Sequence, residues 1–150
     1  MNFKIMQFIT LVFSTLVILQ ASLGTLLFTR LVGFTPHDVN LYYGDKSLHG
    51  LLEVMLPHTL FISIALMAVL HFLAFIQTID SRTKKRAIYS LFILFFLDQF
   101  SPLLITLGLE FFAVIKIIAF VGFQIALLWV WGMIFRQTLK GFGFSRNDTH

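Results

Sequence analysis

The sequence predicts an all-α protein: a four-helix transmembrane bundle with both termini in the cytoplasm and a short interfacial helix between the first two spans. Of the 150 residues, 58% are hydrophobic and only 12% are charged, whereas roughly a quarter of an average soluble domain is charged. The apolar residues gather in four runs, each close to the roughly 20 residues that a helix needs to cross the hydrocarbon core. These runs make one membrane domain, with spans at about residues 5–28, 51–76, 87–109 and 112–135.

The first span follows Lys4 and resembles a signal peptide at its start. Its apolar run is longer than the hydrophobic segment of a signal peptide, so we expect a retained helix. Gln20 is the one strongly polar residue in its interior.

The segment 30–49 is predicted to be an outer loop that contains a short surface helix. Thr35 and Pro36 are typical of a helix start, with threonine as N-cap and proline at the first helical position. Tyr42 and Tyr43 follow, and tyrosine prefers the membrane interface.

The second span carries more ionisable residues than lipid normally admits: Glu53, His58 and His71. Such groups are costly at membrane depth and usually face the bundle interior. His58 and His71 are thirteen residues apart, which places them about 220° apart around a helix and roughly 20 Å apart along it. We therefore expect that one site does not hold both histidines.

An acidic residue stands four positions before a proline in two spans, as Glu53 before Pro57 and Asp98 before Pro102. A proline inside a helix removes the hydrogen bond to the carbonyl four residues earlier. Each position thus offers a carboxylate beside a freed backbone oxygen, or else each proline only kinks its helix.

The fourth span has a stripe of small residues, Ala119, Gly122 and Ala126, which favours close helix packing. Gln124 lies near its middle, and Trp129 and Trp131 are predicted to form an interfacial aromatic belt. The tail, residues 136–150, is predicted to be cytoplasmic, polar and frayed.

The basic residues predict the orientation of the chain in the membrane. Eight fall on one side of the predicted spans and three on the other, and the richer side faces the cytoplasm. The first set is Lys4, Arg82, Lys84, Lys85, Arg86, Arg136, Lys140 and Arg146; the second is Arg30, Lys46 and Lys116. Both termini are therefore expected inside. The net charge of +4 follows this topology and does not indicate nucleic-acid binding.

Polar residues of different spans are expected to meet inside the bundle. When the second and third spans are folded back on each other, Asp98 lies within about one helical turn of His71, or near 6 Å in depth. This geometry permits a contact between the two side chains. Gln20, Asp98 and Gln124 come from three spans at similar depth and predict a polar middle layer.

Four interpretations of that layer stay open. Hydrogen bonds between helices would fix their register, at roughly 0.6–2 kcal/mol each. His58 or His71 would ligate a b-type haem, with the second axial ligand from another subunit because the other spans contain no histidine. His71, Asp98 or Glu53 would form a quinone or proton site. Glu53 and Asp98 would bind a transported cation beside their freed carbonyls.

Several chemistries lack support in the sequence. The absence of cysteine excludes disulfides, iron–sulfur clusters, cysteine-ligated zinc and covalently attached c-type haem. The sequence contains no nucleophile–base motif, no glycine-rich phosphate loop and no metal-hydrolase motif, so an enzymatic activity has no positive indication.

The chain also resembles a family of small four-span bacterial inner-membrane proteins. The resemblance rests on a Tyr-Tyr-Gly element, then Leu-Leu-Glu, a histidine at each end of the second span, and an aspartate followed by Ser-Pro in the third. The matching residues are Tyr42, Tyr43, Gly44, Leu51, Leu52, Glu53, His58, His71, Asp98, Ser101 and Pro102. The family often has His-x-His where this chain has Leu56-Pro57-His58.

The resemblance implies a respiratory or electron-transfer neighbourhood. The leading hypothesis is therefore a small integral membrane subunit, or anchor, of such an assembly, in contact with the bilayer and with other membrane subunits or further copies of itself. The alternative is a self-standing oligomeric proton or cation transporter that uses Glu53, His58, His71 and Asp98.

Overall fold

The computed structural model describes residues 3–144, with side chains over 8–138, and these residues form an all-α four-helix bundle as predicted. A short helix adds to the four long ones, each of which is long and apolar enough to cross a membrane. The helices are α1 (Phe3–Leu27, continued by a π-helical turn, Phe28–Val32), α2 (Pro36–Gly44), α3 (Leu48–Phe75), α4 (Ser81–Thr106) and α5 (Phe112–Phe144).

The helix starts follow local sequence signals. Thr35 Oγ1 accepts a hydrogen bond from the Asp38 backbone N–H at 3.1 Å and Pro36 follows in the first turn, so the predicted start of α2 is confirmed. Gly33, between the π-helical turn and α2, has φ +87°, and a Cβ there would lie 2.8 Å from Asp38 Oδ2. Only glycine meets both requirements without strain.

The four long helices surround two apolar clusters, with α5 at the centre of the bundle. One cluster joins all four and includes the fully buried Leu73, Leu91 and Val130. The second lies where α2 covers α4, α5 and the π-helical turn, around Phe28 and Val39. α4 and α5 form the most extensive helix pair, where a Cβ on Gly122 would lie 3.0 Å from a methyl group of Leu94, consistent with the predicted small-residue stripe.

The prediction that both tryptophans form an interfacial aromatic belt is wrong for Trp131. Trp129 is 49% exposed, but Trp131 is only 4% exposed, and its indole N–H donates to Ser14 Oγ at 3.0 Å. Residues two apart on a helix point about 200° away from each other, so both indoles could not face the same environment. The indole N–H of Trp131 thereby links α5 to α1.

The last helix extends further than the hydropathy indicates. α5 is helical to Phe144, well past the expected end of the fourth span. The remainder of the predicted frayed tail, residues 145–150, lies outside the described residues.

Candidate functional site

A buried ion pair joins α4 to α5. The Lys116 ammonium lies 2.6 Å from Asp98 Oδ1, and the two residues are each only 6% exposed. The charge count places Lys116 with the outer-side residues, and α5, which begins at Phe112, carries it about one turn into the bundle, where it is buried. The remaining count, eight against two, predicts the same orientation.

The ammonium also binds the backbone oxygen that the proline frees. Pro102 has no N–H with which to close the helical bond to the Asp98 carbonyl, and Lys116 Nζ donates to that carbonyl at 2.9 Å. The Asp98 carboxylate and its freed carbonyl, which the sequence offered to a cation, are both held by the protein's own lysine.

A chain of side chains carries the polar contact on to α3. Gln99 Nε2 donates to the other Asp98 carboxylate oxygen, Oδ2, at 2.8 Å. The Thr59 hydroxyl donates to Gln99 Oε1 at 2.7 Å. Asp98 and Gln99 are buried, so the network Thr59–Gln99–Asp98–Lys116 ties α3, α4 and α5 together where water cannot compete for the bonds.

Aromatic residues and α2 cover the pair. The Phe28 ring centroid lies 5.9 Å from Lys116 Nζ, within the range of a cation–π contact, and the same ring stacks on Phe120 at 4.1 Å. The Thr106 hydroxyl donates to the Tyr43 carbonyl at 3.0 Å and so fastens α2 to α4. Burial raises the pKa of the Tyr43 phenol, and the negative charge of Asp98 raises it further.

The depth and the burial of the Asp98–Lys116 pair determine how much it contributes to the stability of the bundle. Asp98 stands eight residues before the end of α4 at Thr106, or about 12 Å along the helix. Two charges removed from water are stable only when each is well compensated, and removing one partner of a buried pair costs about 3–5 kcal/mol. The pair is therefore a strong determinant of how α4 and α5 fit together.

The candidate ligand residues of α3 lie on the outside of the bundle. His58 is exposed, although it lies within electrostatic reach of Lys116 and Asp98. His71 is exposed and its ring packs edge-on against Phe75, with centroids 4.7 Å apart; the carboxylate of Asp98 is bound by Lys116 and Gln99 instead. Glu53 is exposed and pairs with His49 one turn earlier, at 3.2 Å.

The two glutamines of the expected middle layer lie between α1, α3 and α5. Gln20 is partly buried and lines a cleft between α1 and α3. Gln124 Nε2 lies 3.3 Å from the position of a Cβ on Gly24, so the missing side chain there makes room for the amide. Gln124 Oε1 is buried without a hydrogen-bond partner among the described residues.

Thr59, Gln99 and Lys116 are the three members of the network that the sequence did not single out as site residues. Lys116 lies eighteen residues after Asp98, and the turn between α4 and α5, residues 107–111, is centred on residue 109. The same folding-back argument that compared Asp98 with His71 places residue 120 opposite Asp98 and Lys116 about one helical turn away in depth. Within residues 8–138, no three histidine, aspartate or glutamate side chains gather where they could hold a metal ion.

A comparison with family models finds a match over most of the chain. The family Aq_1264_TM, described as a transmembrane helical domain, matches residues 33–145. This stretch includes α2, α3, α4 and α5 and leaves out all of α1 and the π-helical turn. We found no match to the chain among curated proteins or solved structures.

Proposed function

The chain belongs to the Aq_1264_TM family of transmembrane helical domains, and from this premise we propose that it is a small integral membrane subunit, or anchor, of an electron-transfer assembly. In this role the Thr59–Gln99–Asp98–Lys116 network fixes the packing of three helices. The outer surfaces of the bundle contact the partner subunits.

One observation carries the choice between a subunit and a cation transporter. Lys116 Nζ sits 2.6 Å from the Asp98 carboxylate and 2.9 Å from the Asp98 carbonyl, where a transported cation would find its oxygen ligands. A permanent ammonium at this point favours a fixed structural bond over a site that loads and releases ions.

The second acidic position also differs from an ion site. Glu53 is exposed and pairs with His49, in contrast to the enclosed carboxylate of Asp98. Exposed pairs of this kind contribute little energy. The two acid-before-proline positions thus have different environments, which does not favour a pair of equivalent cation sites.

The exposed histidines suit a subunit that shares a cofactor with a partner. His58 and His71 are both exposed on α3, so a b-type haem held by either would take its second axial ligand from another chain. The proposal therefore includes haem ligation only as a haem that this chain shares with a partner subunit. The distribution of basic residues supports an orientation with both termini in the cytoplasm, and the inner-membrane location rests on the resemblance to bacterial inner-membrane proteins.

Native isolation tests the proposal. The chromosomally tagged chain is extracted in mild detergent and separated by size, and reduced-minus-oxidised spectra are recorded across the fractions. We expect it to co-elute with redox-active subunits in a complex well above its own 17.2 kDa, and its deletion to lower electron transfer in isolated membranes.

Two variants refine the test. His58→Ala and His71→Ala report whether either histidine holds a haem in the complex, and Lys84→Met serves as a control change on the surface. A chain that elutes alone or as copies of itself, without redox-active partners and with unchanged membrane electron transfer on deletion, would contradict the subunit proposal.

A further inference from the structure

A cleft between α1 and α3 is open to the side of the bundle. α1 and α3 both pack on α5 but meet each other chiefly at Phe13 and Phe72, whose rings lie 5.4 Å apart. Above the α5 residues Phe123 and Leu127 the two helices enclose a cavity of about 250 Å³. Leu16 lines this cavity and is 54% exposed, so the cleft opens toward the lipid.

The volume limits what can enter. A helix about 10 Å in diameter occupies roughly 120 Å³ per residue at its 1.5 Å rise, so the cavity has room for only about two residues of a partner helix. An apolar cavity of about 150 Å³ already accommodates a benzene molecule. The 250 Å³ cleft therefore fits one aromatic ring and the beginning of an attached chain.

The lining is apolar except for one amide. Of the described residues that line the cleft, Gln20 alone has a polar side chain, and it lies near the middle of the α1 span, Phe8–Val32. An amide that faces hydrocarbon without a partner is costly. An acyl chain offers no hydrogen-bonding group at this depth, whereas a quinone carbonyl accepts a hydrogen bond and is neutral enough to enter the bilayer core.

We propose that the α1–α3 cleft binds a prenylated quinone, with the ring between Phe13 and Phe123 and one carbonyl accepting from the Gln20 amide. This rests on the proposed function, since it names the small molecule that a subunit of an electron-transfer assembly would hold. The site lies apart from the Asp98–Lys116 pair and does not depend on His58 or His71.

Trp131 supplies the reporter. Its ring lies 6.5 Å from Phe13, which lines the cleft, and quinones quench indole fluorescence at short range. The chain has two tryptophans, so a Trp129→Phe background leaves Trp131 alone. The purified full chain in mild detergent is titrated with decylubiquinone, and with decylbenzene, which has the chain and ring without carbonyls, as a competitor.

Four variants test the site. Ala65→Phe, which fills the cleft, abolishes saturable quenching, and Ala74→Phe, the same change at an exposed position of α3, leaves it intact. Ala65→Leu, a smaller filling, is used if the first variant unfolds. Gln20→Leu weakens decylubiquinone binding about fivefold, the loss expected for one hydrogen bond, and leaves competition by decylbenzene unchanged.

Two results would overturn the proposal. If quenching rises linearly with decylubiquinone concentration, and does so equally in the parent chain and in Ala65→Phe, the quinone only partitions into the micelle. Saturable binding that Gln20→Leu does not weaken shows a site for hydrocarbon chains in general and removes the quinone. The isolated chain is used throughout, so failure here is distinct from failure to find redox-active partners in native membranes.

Discussion

Removing Lys116 should destabilise the bundle far more than removing another lysine. Lys116→Met deletes two charge-assisted hydrogen bonds, at 2.6 and 2.9 Å, and leaves the Asp98 carboxylate, 6% exposed, without its counter-charge. The expected loss is about 3–5 kcal/mol of unfolding free energy. Asp98→Asn leaves a buried ammonium and should cost a similar amount.

The double variant separates the pair from its two members. In Asp98→Asn/Lys116→Met both charges are gone, and replacing a buried pair with neutral groups is often close to neutral. We therefore expect the double variant to be more stable than either single variant, with a coupling energy of at least about 2 kcal/mol.

Reversible unfolding in mixed micelles of mild detergent and dodecyl sulfate measures these values, with tryptophan fluorescence as the signal. Lys84→Met is the matched control, since Lys84 Nζ makes one exposed hydrogen bond, to the Ala74 carbonyl at 3.1 Å, and should cost less than about 1 kcal/mol. The reasoning is refuted if Lys116→Met costs no more than Lys84→Met, or if the two single losses add in the double variant.

Three further predictions concern the neighbouring groups. Gln99→Leu breaks the link between α3 and Asp98 and should cost about 1–2 kcal/mol in the same unfolding assay. Gly122→Val should cost about 1–3 kcal/mol by overpacking the α4–α5 contact, whereas Gly132→Val, where a Cβ meets nothing within 4 Å, should cost less; equal losses would contradict this. Because the folded pKa of Tyr43 is raised, the stability given by its neutral phenol is complete below a pH of about 10 and is lost as the pH rises through the folded pKa. Tyr43→Phe should remove this loss of stability, which the same unfolding assay at rising pH measures.

The elements could be predicted from the sequence because their causes are local. A run of apolar residues long enough to span lipid specifies a helix whatever its neighbours do, and Thr35 followed by Pro36 starts α2 through contacts within four residues. The release of the Asp98 carbonyl is equally local, because Pro102 lacks the N–H that would bind it.

The site depended on helix rotation and register, which hydropathy does not determine. His58 and His71 lie on a span that is apolar on every side, so its sequence does not tell which face turns inward, and the structure leaves both exposed. The charge count groups Lys116 with the outer-side residues, because a charge normally marks a span end. Its partner across the turn, Asp98, is what allows a lysine inside the bundle.

Ion flux through the purified chain in liposomes tests most directly whether Lys116 makes the Asp98 site a fixed bond. If Lys116 holds this site permanently, proton and monovalent-cation flux stays at the level of empty liposomes and is the same for the wild type and Asp98→Asn. The opposite result is flux in the wild type that Asp98→Asn abolishes and Lys84→Met leaves intact. It would show that the Asp98 site conducts ions and would establish the transporter alternative.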